Sequence, residues 1–256
     1  MQYGICNLSI IPLRIEPNDT SEMVSQVLFG EYFKVLEMRK MWSKIRLAFD
    51  NYEGWIDNKQ FIEINEETYK NLETSNNYLA AELIDFATDE KQQFLTIPLG
   101  ANLPFYNHQN LLLNNTNYHY EGAVIDEKKG KDAIVEIAFK YLNAPYLWGG
   151  KSPFGIDCSG FTQMVYKLNG YSLLRDASQQ STQGEALSFI EESEPGDLAF
   201  FDNNEGQIVH VGLIMQDNYI IHAHGKVRID RLDHTGIYNV DQKTHTHKLR
   251  VIKKVI

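Results

Sequence analysis

Two cysteines occur among the 256 residues, and the sequence around Cys158 is suited to nucleophilic chemistry. Apolar residues at helical spacing begin just after it, so Cys158 is predicted to lie in the first turn of a helix. The unpaired N–H groups and the helix dipole at such a position favour an anion, which predicts a lowered thiol pKa and a thiolate nucleophile. Glycines at 149, 150 and 155 allow the chain to turn closely before this helix.

A thiol nucleophile needs a base, and two of the eight histidines are suitably spaced. His210 begins an apolar run, His222 ends the next one, and the turn-like residues 216–218 lie between them. If these runs form a hairpin centred on residue 216, the two histidines are opposite or diagonal neighbours, about 5–8 Å apart. His210 is therefore predicted to be the general base and His222 the residue that orients it. His224 would share a face with His222 and is the alternative for that third role.

Other interpretations of these residues stay open at this point. Cys158, His210 and His222 could ligate zinc, although the sequence Asp-Cys-Ser-Gly-Phe around the cysteine disfavours a metal site. Cys6 is predicted to be a buried small hydrophobic residue. The other histidines lack partners at informative spacings and are predicted to lie at the surface: His108, His119, His234, His245 and His247.

Composition restricts the class of protein. Hydrophobic residues make up 43% and charged residues 23% of the chain, which is typical of globular rather than disordered or fibrous proteins. The net charge of −10 argues against nucleic-acid binding, and two cysteines are too few for a disulfide scaffold. The first residues do not resemble a secretory signal and the apolar runs are short, so a cytoplasmic protein without a membrane partner is expected.

The pattern along the chain predicts three domains. Short strand-like runs separated by turn residues are typical of small β-barrels, whereas helices followed by an antiparallel sheet are typical of α+β domains. The predicted order is a barrel at residues 1–65, a second barrel with a short helical connector at 66–125, and an α+β domain at 126–256, in which helical spacing recurs near 134–141 and 161–168.

Four motifs in this order resemble the NlpC family of papain-like bacterial cell-wall cysteine peptidases. They are Trp148-Gly149-Gly150, Asp157-Cys158-Ser159-Gly160-Phe161, Pro195-Gly196-Asp197-Leu198 and His210-Val211-Gly212. The resemblance covers about residues 128–256 and implies a papain-like catalytic domain. It implies a nucleophile, a general base and an orienting residue at Cys158, His210 and His222.

The preceding residues resemble the SH3-like barrels of γ-D-glutamyl-L-diamino acid endopeptidases, also called dipeptidyl-peptidase VI, at 21–31 and 52–56. That resemblance implies a muropeptide substrate with a free L-Ala amino terminus, from which L-Ala-γ-D-Glu is released during cell-wall recycling. A free ammonium needs carboxylate and phenol acceptors. The resemblance implies Asp157, Tyr52 and Glu22 for this role, with Glu31 as the alternative to Glu22.

A further segment, 175–180, together with Ser159, resembles residues that line the same groove. Within it, Arg175 is expected to pair with the α-carboxylate of D-Glu, and Ser178 to contact the substrate. A monomer without a cofactor is expected, and either lysine or meso-diaminopimelate could be the diamino acid. Two alternatives remain: a secreted wall endopeptidase whose barrels bind the wall, and a non-catalytic wall-binding protein.

Overall fold

The computed structural model describes residues 1–114 and 116–256. The chain divides into two compact units, residues 1–126 and 127–256. The polar sequence at 114–117 predicts a turn, of which Asn115 lies outside the described residues. The division of the first unit into two barrels stays a prediction.

In the part of the first unit that the structure describes, the elements are short strands and one helix. They are β1 (Gln2–Ile5), β2 (Ile10–Arg14), β3 (Met23–Leu28), β4 (Tyr32–Met38), β5 (Trp42–Leu47), β6 (Glu53–Asp57), β7 (Ile62–Ile64), α1 (Glu66–Thr74), β8 (Leu79–Ala80), β9 (Ile84–Asp89), β10 (Phe94–Pro98), β11 (Asn110–Leu113), β12 (Thr116–Tyr120) and β13 (Val124–Ile125). Strands β1 to β7 form one sheet in the order β3-β2-β6-β5-β4-β1-β7. Alternate side chains of β2 and β5 face a common core with Val27 and Phe33.

The rest of the first unit forms two smaller sheets. Strands β9 to β12 make a four-stranded antiparallel sheet in the order β10-β9-β12-β11, and β8 pairs with β13. The predicted connector is the helix α1, which Asn65 caps by accepting the N–H of Thr68 at 2.7 Å. Tyr69 and Leu72 are its buried residues.

The second unit places helices before a long antiparallel sheet. Its elements are α2 (Asp132–Lys140), β14 (Lys151–Ser152), β15 (Gly155–Ile156), α3 (Cys158–Leu168), α4 (Ala177–Gln180), β16 (Glu185–Leu187), β17 (Leu198–Asp202), β18 (Ile208–Ile214), β19 (Tyr219–His224), β20 (Lys226–Leu232), β21 (Gly236–Asn239) and β22 (Thr244–Lys254). Short 3₁₀ turns occupy Ile190–Glu192 and Gln216–Asn218. The two helices predicted from apolar spacing are thus confirmed as α2 and α3.

The sheet of the second unit closes on itself. Its strand order is β16-β22-β17-β18-β19-β20-β21, and β21 pairs again with β22. Strands β17 to β22 therefore form a closed barrel, with Phe201, Ile220 and Ile237 in its core cluster. Helix α3 is buried along its whole length and packs against β18 and β19. This packing brings the start of α3 to the strands that carry the predicted histidines.

Candidate functional site

Cys158 is the first residue of α3 and is 7% exposed. The helix begins there because the Asp157 side chain accepts the N–H of Gly160 at 2.6 Å, as an N-cap residue does. The chain before it turns closely, as predicted: a Cβ at Gly150 would collide with the carbonyl oxygen of Gly155. The backbone thus fixes the thiol at the positive end of a rigid helix.

The predicted histidine hairpin is confirmed. Strands β18 and β19 pair with Gly212 opposite His222, which makes His210 a diagonal neighbour of His222. Nε2 of His210 lies 2.8 Å from Nδ1 of His222, and both side chains are buried. The alternative residue, His224, lies next to the pair, with its ring stacked at 6.2 Å from that of His222.

The thiol and the first histidine belong to one site. Val211, the neighbour of His210 on β18, directs its backbone N–H at the Cys158 thiol and lowers the pKa of that thiol. The strand that carries His210 therefore lies against the first turn of α3. The residues predicted as nucleophile, base and orienting group come together although 64 positions separate Cys158 from His222 along the sequence.

Beyond His222 lies a buried carboxylate that the sequence analysis missed. Nε2 of His222 is 3.1 Å from Oδ2 of Asp230 on β20. Arg228 donates to both oxygens of that carboxylate, from Nε at 2.6 Å and from Nη2 at 2.9 Å. Side chains alternate between the two faces of a strand, so the spacing of two residues along β20 could have indicated that Asp230 and Arg228 share a face. Strand β20 pairs with β19, which carries His222.

His247 was predicted to lie at the surface, and that prediction is wrong. Its half-buried ring stacks on His210 with centroids 4.1 Å apart and planes inclined by 27°. Thr246 Oγ1 lies 2.8 Å from its Nδ1. Because β22 pairs with β17 inside the closed barrel, His247 reaches the site from a distant part of the chain. No local spacing could have shown this contact.

The prediction of a lowered thiol pKa is also wrong. Burial raises the pKa of the Cys158 thiol to about 12, and the negative charge of Asp157 raises it further, against smaller lowering effects from backbone N–H groups and Arg175. The helix dipole favours a thiolate, but burial disfavours the charged form of any thiol and has the larger effect here. The resting nucleophile is therefore a neutral thiol.

The histidines are neutral as well. Burial, together with the charges of His222, His247 and His224, holds the pKa of His210 well below its usual value. Burial lowers the pKa of His222 and that of His247 to about 4. A neutral thiol next to a neutral imidazole means that the proton moves when the substrate is attacked, rather than beforehand.

This resting state predicts a specific alkylation profile. The rate at which iodoacetamide modifies Cys158 should rise about tenfold per pH unit from pH 6 to 9, since the thiolate fraction keeps growing below a pKa of about 12. Peptide mapping by mass spectrometry separates Cys158 from the buried Cys6. A rate that levels off near pH 7 would instead show a preformed thiolate.

Arg175 occupies a different position from the one expected. It is 1% exposed, and its guanidinium pairs with Asp157 through Nη1 at 3.0 Å and Nη2 at 2.7 Å. The prediction that it binds a substrate carboxylate is wrong, because its guanidinium group already pairs with the carboxylate of Asp157 inside the protein. It also donates to Ser159 Oγ at 3.0 Å, so Arg175 fixes the residues that flank the nucleophile.

Asp157 already has several donors. Besides Arg175 and Gly160, it accepts the N–H of Gly149 at 2.8 Å. Its predicted contact with a substrate ammonium stays a prediction. The same holds for Ser159, which is 6% exposed, and for Ser178, which is exposed on α4.

Tyr146 is another site residue that sequence reasoning assigned no role. Burial raises the pKa of its phenol to about 12, and the charges of Cys158 and Asp157 contribute. The phenol therefore stays protonated near the thiol and can donate a hydrogen bond. Its position two residues before Trp148-Gly149-Gly150 was the available signal.

The predicted amine-binding residues of the first unit differ in exposure. Glu22 precedes β3 and is exposed, and Tyr52 precedes β6 and is half-buried against the core of the unit. Arg14, at the end of β2, pairs with Met23 of β3 and with Trp55 of β6, so both predicted residues flank the same end of β2.

Glu31, the alternative to Glu22, is 2% exposed and accepts the N–H of Leu28 at 2.9 Å. Accessibility therefore favours Glu22. Cys6 is fully buried, as predicted.

Across the described residues, 1–114 and 116–256, no group of three or more His, Cys, Asp or Glu side chains is arranged to hold a metal ion. Likewise, no helix of the described residues has the length and apolar character needed to cross a bilayer.

Comparison with known proteins gives two family matches. The NlpC/P60 family matches residues 143–248, and the bacterial dipeptidyl-peptidase Sh3 domain matches residues 13–61. The chain is 31% identical over 217 residues to the gamma-D-glutamyl-L-lysine dipeptidyl-peptidase of Bacillus subtilis (strain 168), covering 78% of this chain and 71% of that protein. It is 27% identical over 250 residues to dipeptidyl-peptidase 6 of Lysinibacillus sphaericus, covering 86% and 88%.

A solved structure has the same fold. The crystal structure of an NlpC/P60 family protein from Bacillus cereus ATCC 10987 matches with a TM-score of 0.83 at 21% identity, over 99% of each chain. The first unit thus includes an SH3-like domain and the second is a papain-like domain. Together with the arrangement of Cys158, His210 and His222, these matches show that the chain belongs to the NlpC/P60 family.

Proposed function

We propose that this protein is a cysteine peptidase that hydrolyses the bond between γ-D-Glu and the diamino acid of peptidoglycan peptides. Its substrate has a free amino-terminal L-Ala, and the product is L-Ala-γ-D-Glu. The observation that carries this proposal is the thiol of Cys158 at a helix start, beside a buried His210–His222 pair. The names of two relatives, gamma-D-glutamyl-L-lysine dipeptidyl-peptidase and dipeptidyl-peptidase 6, support the substrate class.

The proposed reaction has two steps. In the first, Sγ of Cys158 attacks the γ-carbonyl carbon of D-Glu while the thiol proton passes to His210. The C–N bond then breaks as protonated His210 gives this proton to the amine of the diamino acid, which leaves a thioester on Cys158. In the second step His210 takes a proton from water as the water oxygen attacks the thioester carbonyl carbon. The C–S bond then breaks and the dipeptide acid leaves. Protonated His210 gives its proton to the sulfur of Cys158, which restores the neutral thiol and the neutral imidazole.

The charge that develops on the carbonyl oxygen needs donors. Backbone N–H groups at the start of α3 are candidates for this role, because that of Ser159 points at the thiol and lowers its pKa. The protonated phenol of Tyr146 is a second candidate.

We propose that three side chains accept hydrogen bonds from the ammonium group of L-Ala. Tyr52 and Glu22 come from the SH3-like domain, and Asp157 is the neighbour of the nucleophile. Glu22 is exposed and Tyr52 is half-buried, so solvent reaches both side chains. Cytoplasmic recycling of wall peptides by a monomer is the setting we propose for this reaction.

N-acetylation of the substrate tests this amine recognition. We expect kcat/KM for N-acetyl-L-Ala-γ-D-Glu-meso-diaminopimelate to fall about 10- to 100-fold below that of the free amine, since hydrogen bonds to charged groups are worth about 1.5–3 kcal/mol. Tyr52→Phe should reduce cleavage of the free-amine peptide and leave the acetylated one nearly unchanged. Equal cleavage of both peptides would refute amine recognition.

The reaction itself is tested by following the products. Purified full-length protein is incubated with L-Ala-γ-D-Glu-meso-diaminopimelate and, separately, with the L-lysine peptide, and products are identified by mass spectrometry. We expect L-Ala-γ-D-Glu from at least one of them. Absence of the dipeptide from both reactions would refute the proposal.

A further inference from the structure

The imidazole pair rests on a fully buried carboxylate. Asp230 is 1% exposed, and each of its oxygens accepts two donors. Oδ2 faces Nε2 of His222 at 3.1 Å and Nε of Arg228 at 2.6 Å. Oδ1 accepts Nη2 of Arg228 at 2.9 Å and the N–H of Val240 at 3.3 Å. These four contacts use the acceptor capacity of a carboxylate and hold it in one orientation.

The contacts determine where the protons lie. An ionised carboxylate only accepts hydrogen bonds, so Nε2 of His222 must carry a proton and donate it to Asp230. In a neutral imidazole the other nitrogen is then an acceptor, so Nδ1 of His222 accepts from Nε2 of His210. With its proton on Nε2, neutral His210 has an unprotonated Nδ1. That nitrogen is the one able to accept a thiol proton.

We propose that Asp230 is a positioning residue that acts through His222 to keep His210 in the tautomer with an unprotonated Nδ1, and that Arg228 balances its charge. The proposal rests on the cysteine-peptidase function proposed above. It adds a fourth residue behind the predicted set of three, with contacts that run from His210 to His222 and from His222 to Asp230. Arg228 orients Asp230 and also pairs with Asp241 at 2.8 Å.

Charged and titratable groups surround His222 from several elements. Asp230 and Arg228 face it from β20, His210 from β18 and His247 from β22, and His224 shares its strand. Helix α3 packs against the same strands and carries Cys158, preceded by Asp157. The negative charge of Asp230 raises the pKa of His222, whereas the positive charge of Arg228 lowers it. Removing the Asp230 charge should therefore lower the pKa of His222, and removing the Arg228 charge should raise it.

Asp230→Asn tests the tautomer. The amide of the new asparagine can take two orientations. With its nitrogen at the position of Oδ2, one pair of donors would face each other, the amide N–H and Nε of Arg228. With its nitrogen at the position of Oδ1, the amide would face two donors, Nη2 of Arg228 and the N–H of Val240. The first orientation is favoured, and it forces Nε2 of His222 to accept. The proton then moves to Nδ1 of His222, and His210 must carry its own proton on Nδ1. A misplaced proton at a triad histidine costs up to about 10⁴-fold, so we expect a loss of at least about 100-fold in kcat.

The pH profile separates this role from a merely structural one. The acid limb of kcat/KM reports the base in the free enzyme. Without the Asp230 charge the limb should move to lower pH, and in Arg228→Met it should move to higher pH, by up to about one unit. Asp233→Asn is the matched control, because Asp233 contacts His245 at 2.9 Å in an exposed pair outside the site. That variant should keep the activity and the pH profile.

Histidine ¹⁵N NMR provides a readout that does not depend on turnover. In the unmodified protein we expect protonated Nε2 and unprotonated Nδ1 at His210, and the reverse in Asp230→Asn with unchanged circular dichroism. A protonated Nδ1 in the unmodified protein would overturn the proposal, as would an Asp230→Asn protein with unchanged kcat and tautomer. If no peptide is cleaved by the unmodified protein, the peptidase function fails, and the NMR result still decides the tautomer.

Discussion

Cys158→Ala abolishes peptide hydrolysis: we expect kcat to fall by about 10⁶-fold, since the loss of a nucleophile in a comparable catalytic set removes about that much. The site has a single thiol, at the start of α3 and against the strand of His210. No thioester can form without it. Backbone donors alone retain only a small residual acceleration.

Initial rates with L-Ala-γ-D-Glu-meso-diaminopimelate, measured by mass spectrometry, provide the test. Cys6→Ala is the matched control, because Cys6 is also a buried thiol but lies in the first unit. We expect that variant to keep its kcat. Hydrolysis by Cys158→Ala at a rate near that of the unmodified protein would exclude Cys158 as the nucleophile.

His210→Gln should reduce kcat by about 10³-fold or more, because general acid–base catalysis contributes about 10²–10⁴-fold and His210 serves in both steps. Because the resting thiol is neutral, the rate depends even more strongly on His210. With a thiol pKa of about 12, almost no thiolate exists at pH 7, so attack requires a base. Glutamine keeps a polar side chain of similar reach but cannot take the proton.

A diagnostic pH dependence should accompany this loss. The residual activity of His210→Gln should increase with pH up to at least pH 9, since only hydroxide can then generate thiolate. His245→Gln, which changes an exposed histidine of the same sheet, serves as the control and should retain full activity. Rates for His210→Gln within threefold of the unmodified protein would assign the base to another residue.

Local sequence pattern was sufficient for the core of the site. Apolar spacing after Cys158 predicted helix α3, and the symmetric placement of His210 and His222 about residue 216 predicted their contact. The first prediction depends on a single helix and the second on a single hairpin. In such short segments, the register of the chain determines which side chains meet.

The remaining features depend on long-range packing. His247 stacks on His210 only because β22 returns to the barrel beside β17. Burial, which raises the pKa of the Cys158 thiol, is a property of the packed domain rather than of its helix. Arg175 was misassigned for the same reason, since the sequence does not indicate that Asp157 would become its partner.

Trapping the thioester tests the central claim most directly. The protein is mixed with L-Ala-γ-D-Glu-meso-diaminopimelate, quenched in acid within milliseconds, digested, and searched by mass spectrometry for an L-Ala-γ-D-Glu acyl group. We predict this group on the peptide that contains Cys158, and its loss on treatment with hydroxylamine. Dipeptide formed at full rate with no acyl group on Cys158, or with the acyl group on another residue, would contradict the account.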